Sequence, residues 1–166
     1  MTIVLHPEPL TRESFARFGD VIEAGGRDHI TINQGFAERF NDLAKIDTAN
    51  GGGETTISIA RGTPLPLPIA VKLVERHPLG SQIFFPLQDR DWLIVVADAE
   101  DRPTPRSLRA FRASGRQGIN FARNVWHHPL IMPAPAAEFL IIDRKGPGNN
   151  LEEHWFAESE RPILQA

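Results

Sequence analysis

Proline and glycine recur along the whole chain and leave little room for a long helix. The 166 residues include 14 prolines and 13 glycines, and a proline inside a helix costs about 3 kcal/mol or more. The segments between them are therefore expected to form short elements joined by turns. One short helix is predicted over residues 11–19, with Thr11 as N-cap, Phe15 and Phe18 on one face and Gly19 as the stop. A second, weaker helix is predicted over residues 68–73.

Seven further segments have the β-branched and aromatic residues that are typical of strands. They cover residues 55–60, 73–77, 81–85, 92–97, 109–111, 118–121 and 139–143. Residues 92–97 are apolar throughout, as expected of a strand that is covered on both faces. Many short strands at regular spacing predict an all-β sandwich or barrel. The polar, acidic residues after Leu151 are expected to lie along the surface.

Length and composition limit the possible partners and chemistry. A chain of this length with 41% hydrophobic residues suits one domain, expected to span residues 1–166. A net charge of −3 gives no basic surface for nucleic acid or an anionic membrane. Cysteine is absent from the sequence, which excludes thiol nucleophiles and Cys-based metal sites. Neither a signal peptide nor a membrane span is expected, so the sequence predicts a cytoplasmic protein.

Residues 75–82 read Glu-Arg-His-Pro-Leu-Gly-Ser-Gln and bring reactive side chains close together. Alternation along a strand points Glu75 and His77 to one face. Gln82 can return beside them after the Pro-Leu-Gly turn. A carboxylate, an imidazole and an amide in one place suit either metal binding or proton transfer. The alternative is a salt-bridged strand pair at a barrel rim, with Arg76 paired to a nearby acid.

Two more segments stand out. Residues 118–130 contain the neighbours His127 and His128, which must face opposite sides of a regular strand. One is therefore expected inside and the other outside or at a subunit contact, and the sequence leaves open which. Residues 143–150, Asp-Arg-Lys-Gly-Pro-Gly-Asn-Asn, have strong turn chemistry after a strand end. Asp143 and Arg144 at that strand end either reach a site or pair with each other.

Taken together, these segments resemble the ureidoglycolate lyase family. The resemblance is carried by residues 75–82, by Asn-Val-Trp-His-His-Pro-Leu at 124–130 and by 143–150, with further likeness at 18–23 and 32–44. It runs in order over nearly the whole chain. It implies a cupin-like barrel (double-stranded β-helix or jelly roll), a homodimer, and cleavage of (S)-ureidoglycolate to glyoxylate and urea in allantoin breakdown.

The resemblance also implies a metal-ligand set, because Glu75, His77, Gln82 and His127 fall where cupins hold a metal ion. General cupins have His, His, Glu and His at these positions. Here one histidine is replaced by glutamate and the carboxylate by glutamine, which is a weak ligand. The family is associated with a divalent ion such as nickel. This chain is therefore expected to hold such an ion loosely or not at all.

Cleavage of ureidoglycolate, a hemiaminal, needs a base, an acid and a cation that binds the substrate carboxylate. Imidazole titrates at about pH 6.5, so His77 or His127 is assigned as the base. The other histidine, or Glu75 if burial raises its pKa, is assigned as the acid. Side chains that match the carboxylate or the ureido group are the candidate substrate ligands. They are Arg61, Arg76, Arg123, Gln82, Asn33 and Ser58.

Three other functions are considered. An amidohydrolase would release ammonia and carbon dioxide from the same substrate, but the chain lacks the His- and Asp-rich pattern of a two-metal site. A different cupin enzyme, such as a sugar epimerase, is disfavoured by the long family-like motifs. A cupin-fold binding or regulatory protein without catalysis stays open, because glutamine stands at a ligand position.

Overall fold

The computed structural model describes residues 2–132 and 134–165, and most of their regular structure is β-strand. One α-helix, α1 (Arg12–Phe15), accompanies sixteen strands in these residues. The strands are β1 (Val4–Leu5), β2 (Glu8–Pro9), β3 (Gly19–Ile22), β4 (Ile30–Ile32), β5 (Ala37–Arg39), β6 (Glu54–Arg61), β7 (Ile69–Ala70), β8 (Leu73–Arg76), β9 (Gln82–Pro86), β10 (Trp92–Ala97), β11 (Leu108–Ala113), β12 (Gly118–Phe121), β13 (Trp126–His127), β14 (Glu138–Lys145), β15 (Glu152–Trp155) and β16 (Ile163–Leu164). The predicted all-β class is confirmed.

The helix predictions have mixed outcomes. Thr11 caps α1 by accepting a hydrogen bond from the Ser14 N–H, as expected, and Phe15 and Phe18 are both buried. The helix ends at Phe15, earlier than predicted. The prediction of a second helix over residues 68–73 is wrong. This segment contains β7, which pairs with β16 near the C-terminal end.

Two sheets face each other and form the barrel. Six strands lie in the order β15-β8-β13-β10-β11-β2, and five lie in the order β3-β12-β9-β14-β6. Side chains from both inner faces share one core, for example Ile94 and Phe111 from the first sheet and Phe84 and Phe139 from the second. Each fully buried side chain of this size stabilises the fold by about 1.5–3 kcal/mol. This arrangement is a cupin-like barrel.

A third layer covers the outside of the six-stranded sheet. The small sheet β1-β16-β7 contributes Leu5, Ile69 and Leu164 to a second core against Leu93 and Val95 of β10. Strand β10 is therefore buried on both faces, as its uninterrupted apolar sequence predicts. The residues after Leu151 do more than lie along the surface, because β15 and β16 are built into two sheets.

The barrel is closed on one side and open on the other. Helix α1 joins β2 to β3 and buries Phe15 in the barrel core. The opposite edges of the two sheets are β15 and β6. Ser58 of β6 and Glu153 of β15 oppose inward-facing residues yet are exposed. The space between the sheets, called the chamber below, therefore opens to solvent between β6 and β15.

The outer surface of β6 is unusually apolar for an edge strand. Ile57 and Ile59 are 68% and 61% exposed, and they lie beside the partly buried Leu140 and Ile142 of β14. A separate hairpin, β4–β5, has an exposed Phe36 after its turn. Among the described helices, none is long and apolar enough to cross a membrane.

Candidate functional site

Three ionisable side chains meet inside the chamber. His127 of β13 lies directly opposite both Val96 of β10 and Glu75 of β8 in the antiparallel register. Opposite residues point to the same face of a sheet, and Val96 belongs to the barrel core. Glu75 and His127 therefore face inward. His77 follows β8 two residues after Glu75, and its ring centroid is 5.4 Å from that of His127.

Main-chain carbonyls fix both imidazoles in the same tautomer. His77 Nδ1 lies 2.7 Å from the Asn150 carbonyl oxygen, and His127 Nδ1 lies 2.9 Å from that of Val125. A carbonyl oxygen only accepts, so each Nδ1 carries the proton and each neutral ring has a free lone pair on Nε2. Phe121 stacks on His127 at 4.0 Å and holds its ring plane. The two lone pairs are thus prepared to accept a proton or bind an ion.

The two Nε2 atoms face one carboxylate at distances longer than hydrogen bonds. Glu75 Oε1 is 3.8 Å from His77 Nε2 and 3.7 Å from His127 Nε2. Both Nε2 atoms are buried and have no hydrogen-bond partner among the described residues. A buried polar atom without a partner is costly. This cost indicates that the cluster is built to receive a ligand.

Burial changes the protonation of two members of the cluster in different ways. The pKa of His127 is lowered to about 3, first because burial disfavours the charged ring and then because His77 is close. This ring is therefore neutral near pH 7. Burial also raises the pKa of Glu75, the nearby His77 opposes that rise, and Glu153 adds to it. Glu75 is thus the member whose acidic form is stabilised.

Gln82 of β9 joins the inner surface near the cluster. It lies opposite Phe121, the residue that stacks on His127. Its Nε2 donates to Asp143 Oδ2 at 3.4 Å, while its Oε1 is buried without a partner among the described residues. Asp143 thus holds the amide nitrogen of Gln82, and the amide oxygen is free to accept a hydrogen bond.

The donor set fits a divalent metal ion. Glu75, His77 and His127 offer one carboxylate oxygen and two imidazole nitrogens within 4.8 Å of one another. The carboxylate-to-nitrogen separations are below twice a metal–ligand bond of about 2.1 Å, so one ion can touch both partners of each pair. The Nδ1–H bonds to carbonyls are those that orient metal-binding histidines in proteins. Gln82 Oε1 would be an additional, weaker ligand.

The three arginines proposed for the substrate carboxylate lie in different places. Arg76 faces the outside of the six-stranded sheet, where it stacks over Trp126 at 4.6 Å and donates to Glu152 at 2.7 Å. Arg61 donates to Glu138 at the far end of β6. It is five residues, or roughly 16 Å, along the strand from Thr56, which lies opposite the Gln82 partner Asp143. The structure does not bring either residue to the cluster.

Arg123 is better placed, because it belongs to the loop that contacts His77. The N–H of the next residue, Asn124, donates to the His77 carbonyl oxygen at 3.1 Å. Arg123 lies 3.8 Å from Asp47, and both side chains are about 40% exposed. This ion pair is weak enough to be exchanged for a substrate carboxylate.

The remaining candidates are partly separated from the cluster. Ser58 lies on the inner face of β6 at the open side of the chamber. Asn33 lies in the exposed turn of the β4–β5 hairpin, with φ at 53°, and the structure brings it to none of the cluster residues. His128 leaves β13 and is partly buried, and its Nδ1 donates to the Pro129 carbonyl oxygen at 2.7 Å. Of the two adjacent histidines, His127 is the one in the chamber.

Sequence reasoning missed several neighbours of the cluster. Asn150 of the turn segment 143–150 was not singled out, yet its carbonyl oxygen binds His77. Asp143 was left either at a site or paired with Arg144, and in the structure it binds Gln82. Phe121 gave no signal beyond that of a core aromatic. Glu153 lies directly opposite Glu75, and it went unnoticed because β15 was not predicted as a strand.

A cleft away from the chamber is chemically plainer. It has a volume of about 450 Å³ and lies between residues 2–3, 104–106 and 159–161. None of the buried unpartnered side-chain atoms of the described residues lies there. We therefore place the candidate active site at the Glu75–His77–His127 cluster.

Comparison with known proteins identifies the family of the chain. The sequence model of the ureidoglycolate lyase family matches residues 2–162. The chain belongs to the ureidoglycolate lyase family. Proteins named ureidoglycolate lyase from Pseudomonas putida (strain W619) and Pseudomonas entomophila (strain L48) are each 50% identical over 157 residues, which are 95% of this chain and 94% of theirs. The relative of that name from Pseudomonas syringae pv. tomato (strain DC3000) is 49% identical over 95% of this chain and 92% of its own.

Proposed function

We propose that this protein cleaves the C–N bond of (S)-ureidoglycolate and releases glyoxylate and urea, in the breakdown of allantoin. The observation that carries the proposal is the convergence of two unpartnered imidazole Nε2 atoms on the Glu75 carboxylate inside the chamber. Membership of the family and the shared name of the relatives support the choice of substrate.

The reaction moves two protons. One substrate carbon carries both the hydroxyl and the ureido nitrogen. A base takes the proton of that hydroxyl, and the C–O bond becomes the carbonyl of glyoxylate. The C–N bonding electrons leave with the nitrogen, which takes a proton from an acid and becomes urea. Substrate and products balance without an oxidant or a covalent intermediate.

His77 is the proposed base. Its Nδ1–H is held by the Asn150 carbonyl, so its Nε2 is the free acceptor. Its side chain is 16% exposed, against 1% for His127, so it is the more accessible of the two imidazoles. A positioned base of this kind contributes roughly 10²- to 10⁴-fold to a rate.

Glu75 is the proposed acid, and His127 positions the reacting group. The pKa of Glu75 is raised chiefly by burial, which favours the protonated form that an acid needs. His127, with its pKa lowered to about 3, has no proton on Nε2 to give near pH 7. It is suited to accept a hydrogen bond or to bind an ion.

The substrate carboxylate and ureido group need their own partners. We assign the carboxylate to Arg123, whose present partner Asp47 is 3.8 Å away. Gln82 Oε1 can accept from a ureido N–H, and Ser58 can bind it from the open side. These assignments follow from placement on the inner surface and the adjoining loop.

A divalent ion, if bound, would be held by Glu75, His77 and His127, with Gln82 as the weakest ligand. Such an ion would supply Lewis acidity that favours loss of the hydroxyl proton. Histidine and carboxylate ligands suit nickel as well as other first-row divalent ions. Titration of the purified protein with a chelator, followed by metal analysis and by urea release, measures how far activity depends on it.

The central experiment measures urea and glyoxylate released from (S)-ureidoglycolate by the wild type and by His77→Ala and His127→Ala. Each variant should lose at least about 100-fold in kcat/KM. Circular dichroism and thermal unfolding check that the fold persists. His29→Ala serves as the matched control, because His29 lies in an exposed hairpin beside Glu38. Near-normal turnover in both site variants would contradict the assignment, and binding without turnover by the wild type would favour a binding protein.

We also propose a homodimer that forms along β6. This edge strand exposes Ile57 and Ile59 and begins with Glu54 and ends with Arg61. Two copies paired antiparallel, with each Ile57 opposite the partner copy's Ile59, would join both apolar strips on one face of a continuous sheet. The cytoplasmic location stays a prediction from the sequence.

A further inference from the structure

Glu153 brings a second carboxylate to the chamber. It lies directly opposite Glu75 in the pairing of β15 with β8, so the two side chains point to the same face, with Cβ atoms roughly 4.5–5.5 Å apart. His127, Glu75 and Glu153 therefore form one row across three neighbouring strands. Glu153 ends this row at the open side of the chamber, on the edge strand.

The Glu153 carboxylate is held by a neutral donor. Trp155, two residues along the same face, donates its indole N–H to Glu153 Oε2 at 3.2 Å. Within residues 2–132 and 134–165, no arginine, lysine or histidine nitrogen lies within 4.0 Å of this carboxylate. The carboxylate is oriented, but none of these described residues neutralises its charge.

Two carboxylates in direct opposition repel each other and would also repel an anionic group brought to them. The negative end of a substrate is therefore not the part that belongs beside Glu153. The favourable neighbour is a group with several N–H donors and no negative charge. Trp155, which is 57% exposed at the same rim, adds a planar apolar surface beside it.

We propose that Glu153 is the specificity residue that binds the ureido head group of the substrate, with Trp155 holding its carboxylate in place; this rests on the function proposed above. A ureido group has two N–H bonds that point the same way, one on each nitrogen. They match the two oxygens of a carboxylate in the way that an arginine fork does. With the head group on Glu153, the nitrogen that must be protonated lies on the side of Glu75, the next residue in the row.

The test uses ureidoacetate, which keeps the carboxylate and the ureido group but has no hydroxyl and cannot be cleaved. Glycolate, which lacks the ureido group, is the comparison ligand. Isothermal titration measures the Kd of each for the wild type and for Glu153→Gln, a change that preserves size and removes the charge. The Kd of ureidoacetate should rise about 10- to 100-fold, as expected for hydrogen bonds to a charged group, while that of glycolate changes less than about twofold.

Kinetics add a second readout. With ureidoglycolate, Glu153→Gln should raise KM more than it lowers kcat, and Trp155→Phe, which keeps a ring but removes the donor, should raise KM by a smaller factor. Glu158→Gln is the matched control, since Glu158 is an exposed glutamate of the same C-terminal segment outside the barrel, and it should behave as the wild type.

Several results would overturn the inference. They are an unchanged Kd of ureidoacetate in Glu153→Gln, an equal loss for ureidoacetate and glycolate, or no binding of ureidoacetate by the wild type. The proposed function fails in a different way: the wild type then releases no urea from ureidoglycolate. Ureidoacetate binding that depends on Glu153 would still support the ureido site in that case.

Discussion

At the scale of single residues, His127 couples the stability of the protein to pH. Its imidazole is 1% exposed, and its pKa is lowered from an ordinary value near 6.5 to about 3. Protonation therefore favours the unfolded chain. The stability that comes from this group is complete above about pH 6.5 and is lost as the pH falls toward 3.

The free energy of unfolding is expected to fall by about 2 kcal/mol between pH 7 and pH 5, since each pKa unit corresponds to about 1.4 kcal/mol. Guanidinium chloride unfolding of the chelator-treated protein at both pH values measures it. His127→Gln, which removes the titrating ring, should show a flatter dependence over this range. An equally steep dependence in the variant would mean that other groups cause the loss.

Residue-level prediction from the sequence succeeded where strand alternation was applied fully. The two-residue period correctly put Glu75 with His77, and the same period puts Arg76 on the opposite face, where it binds Glu152. Arg76 was nevertheless a candidate for the substrate because its charge suits a carboxylate. Charge alone does not place a side chain. The sequence could not predict which of His127 and His128 faces inward, because that depends on the pairing of β13 with β8 and β10.

At the scale of elements, the pairing of β3 with β12 depends on Gly19. Its φ of +139° is one that side chains rarely adopt, and an added Cβ would lie 1.8 Å from the Asn120 carbonyl oxygen. Gly19→Ala should therefore lower the free energy of unfolding by at least about 2 kcal/mol. Gly25→Ala is the control, since a Cβ there has no neighbour within 4 Å. Chemical denaturation of both variants gives the comparison, and equal stabilities would contradict this account of the β3–β12 pairing.

Element prediction was best where a segment carries its own pattern. Strands β10 and β12 begin and end where the sequence predicts. Several short strands were not predicted; among them, β7 and β15 lack a clear apolar alternation. They are strands because distant partners pair with them: β16 with β7, and β8 with β15. Neighbouring residues in the sequence do not indicate such long-range pairing. Because β15 was not predicted as a strand, Glu153 was not placed beside Glu75.

At the scale of the whole molecule, the exposed apolar strip on β6 governs the assembly that we propose. Ile59→Lys should prevent the dimer, because it would place two charges in the shared strip. Light scattering should then give a mass near 18.5 kDa instead of twice that value. Val4→Lys, at another exposed apolar position, should leave the dimer intact. A monomeric wild type would refute the dimer, and a dimeric Ile59→Lys would move the interface elsewhere.

The overall architecture was largely predictable, and the reason lies in the apolar pattern. A fully apolar six-residue strand amid many turn residues requires a layer on each side, and the structure provides both. The identity of the outer layer was not predictable. It is made from β1, β7 and β16, which come from the early, middle and late parts of the sequence.

The row of His127, Glu75 and Glu153 has a consequence for how the protein is made. Its members lie side by side in space but come from the middle and the late part of the sequence. During synthesis, the two histidines and Glu75 leave the ribosome well before β15 can dock beside them. A chain interrupted before residue 152 would retain the proton-transfer groups and lack the edge strand that ends the row. Discrimination among ligands would thus arise last, in the same step that finishes the barrel.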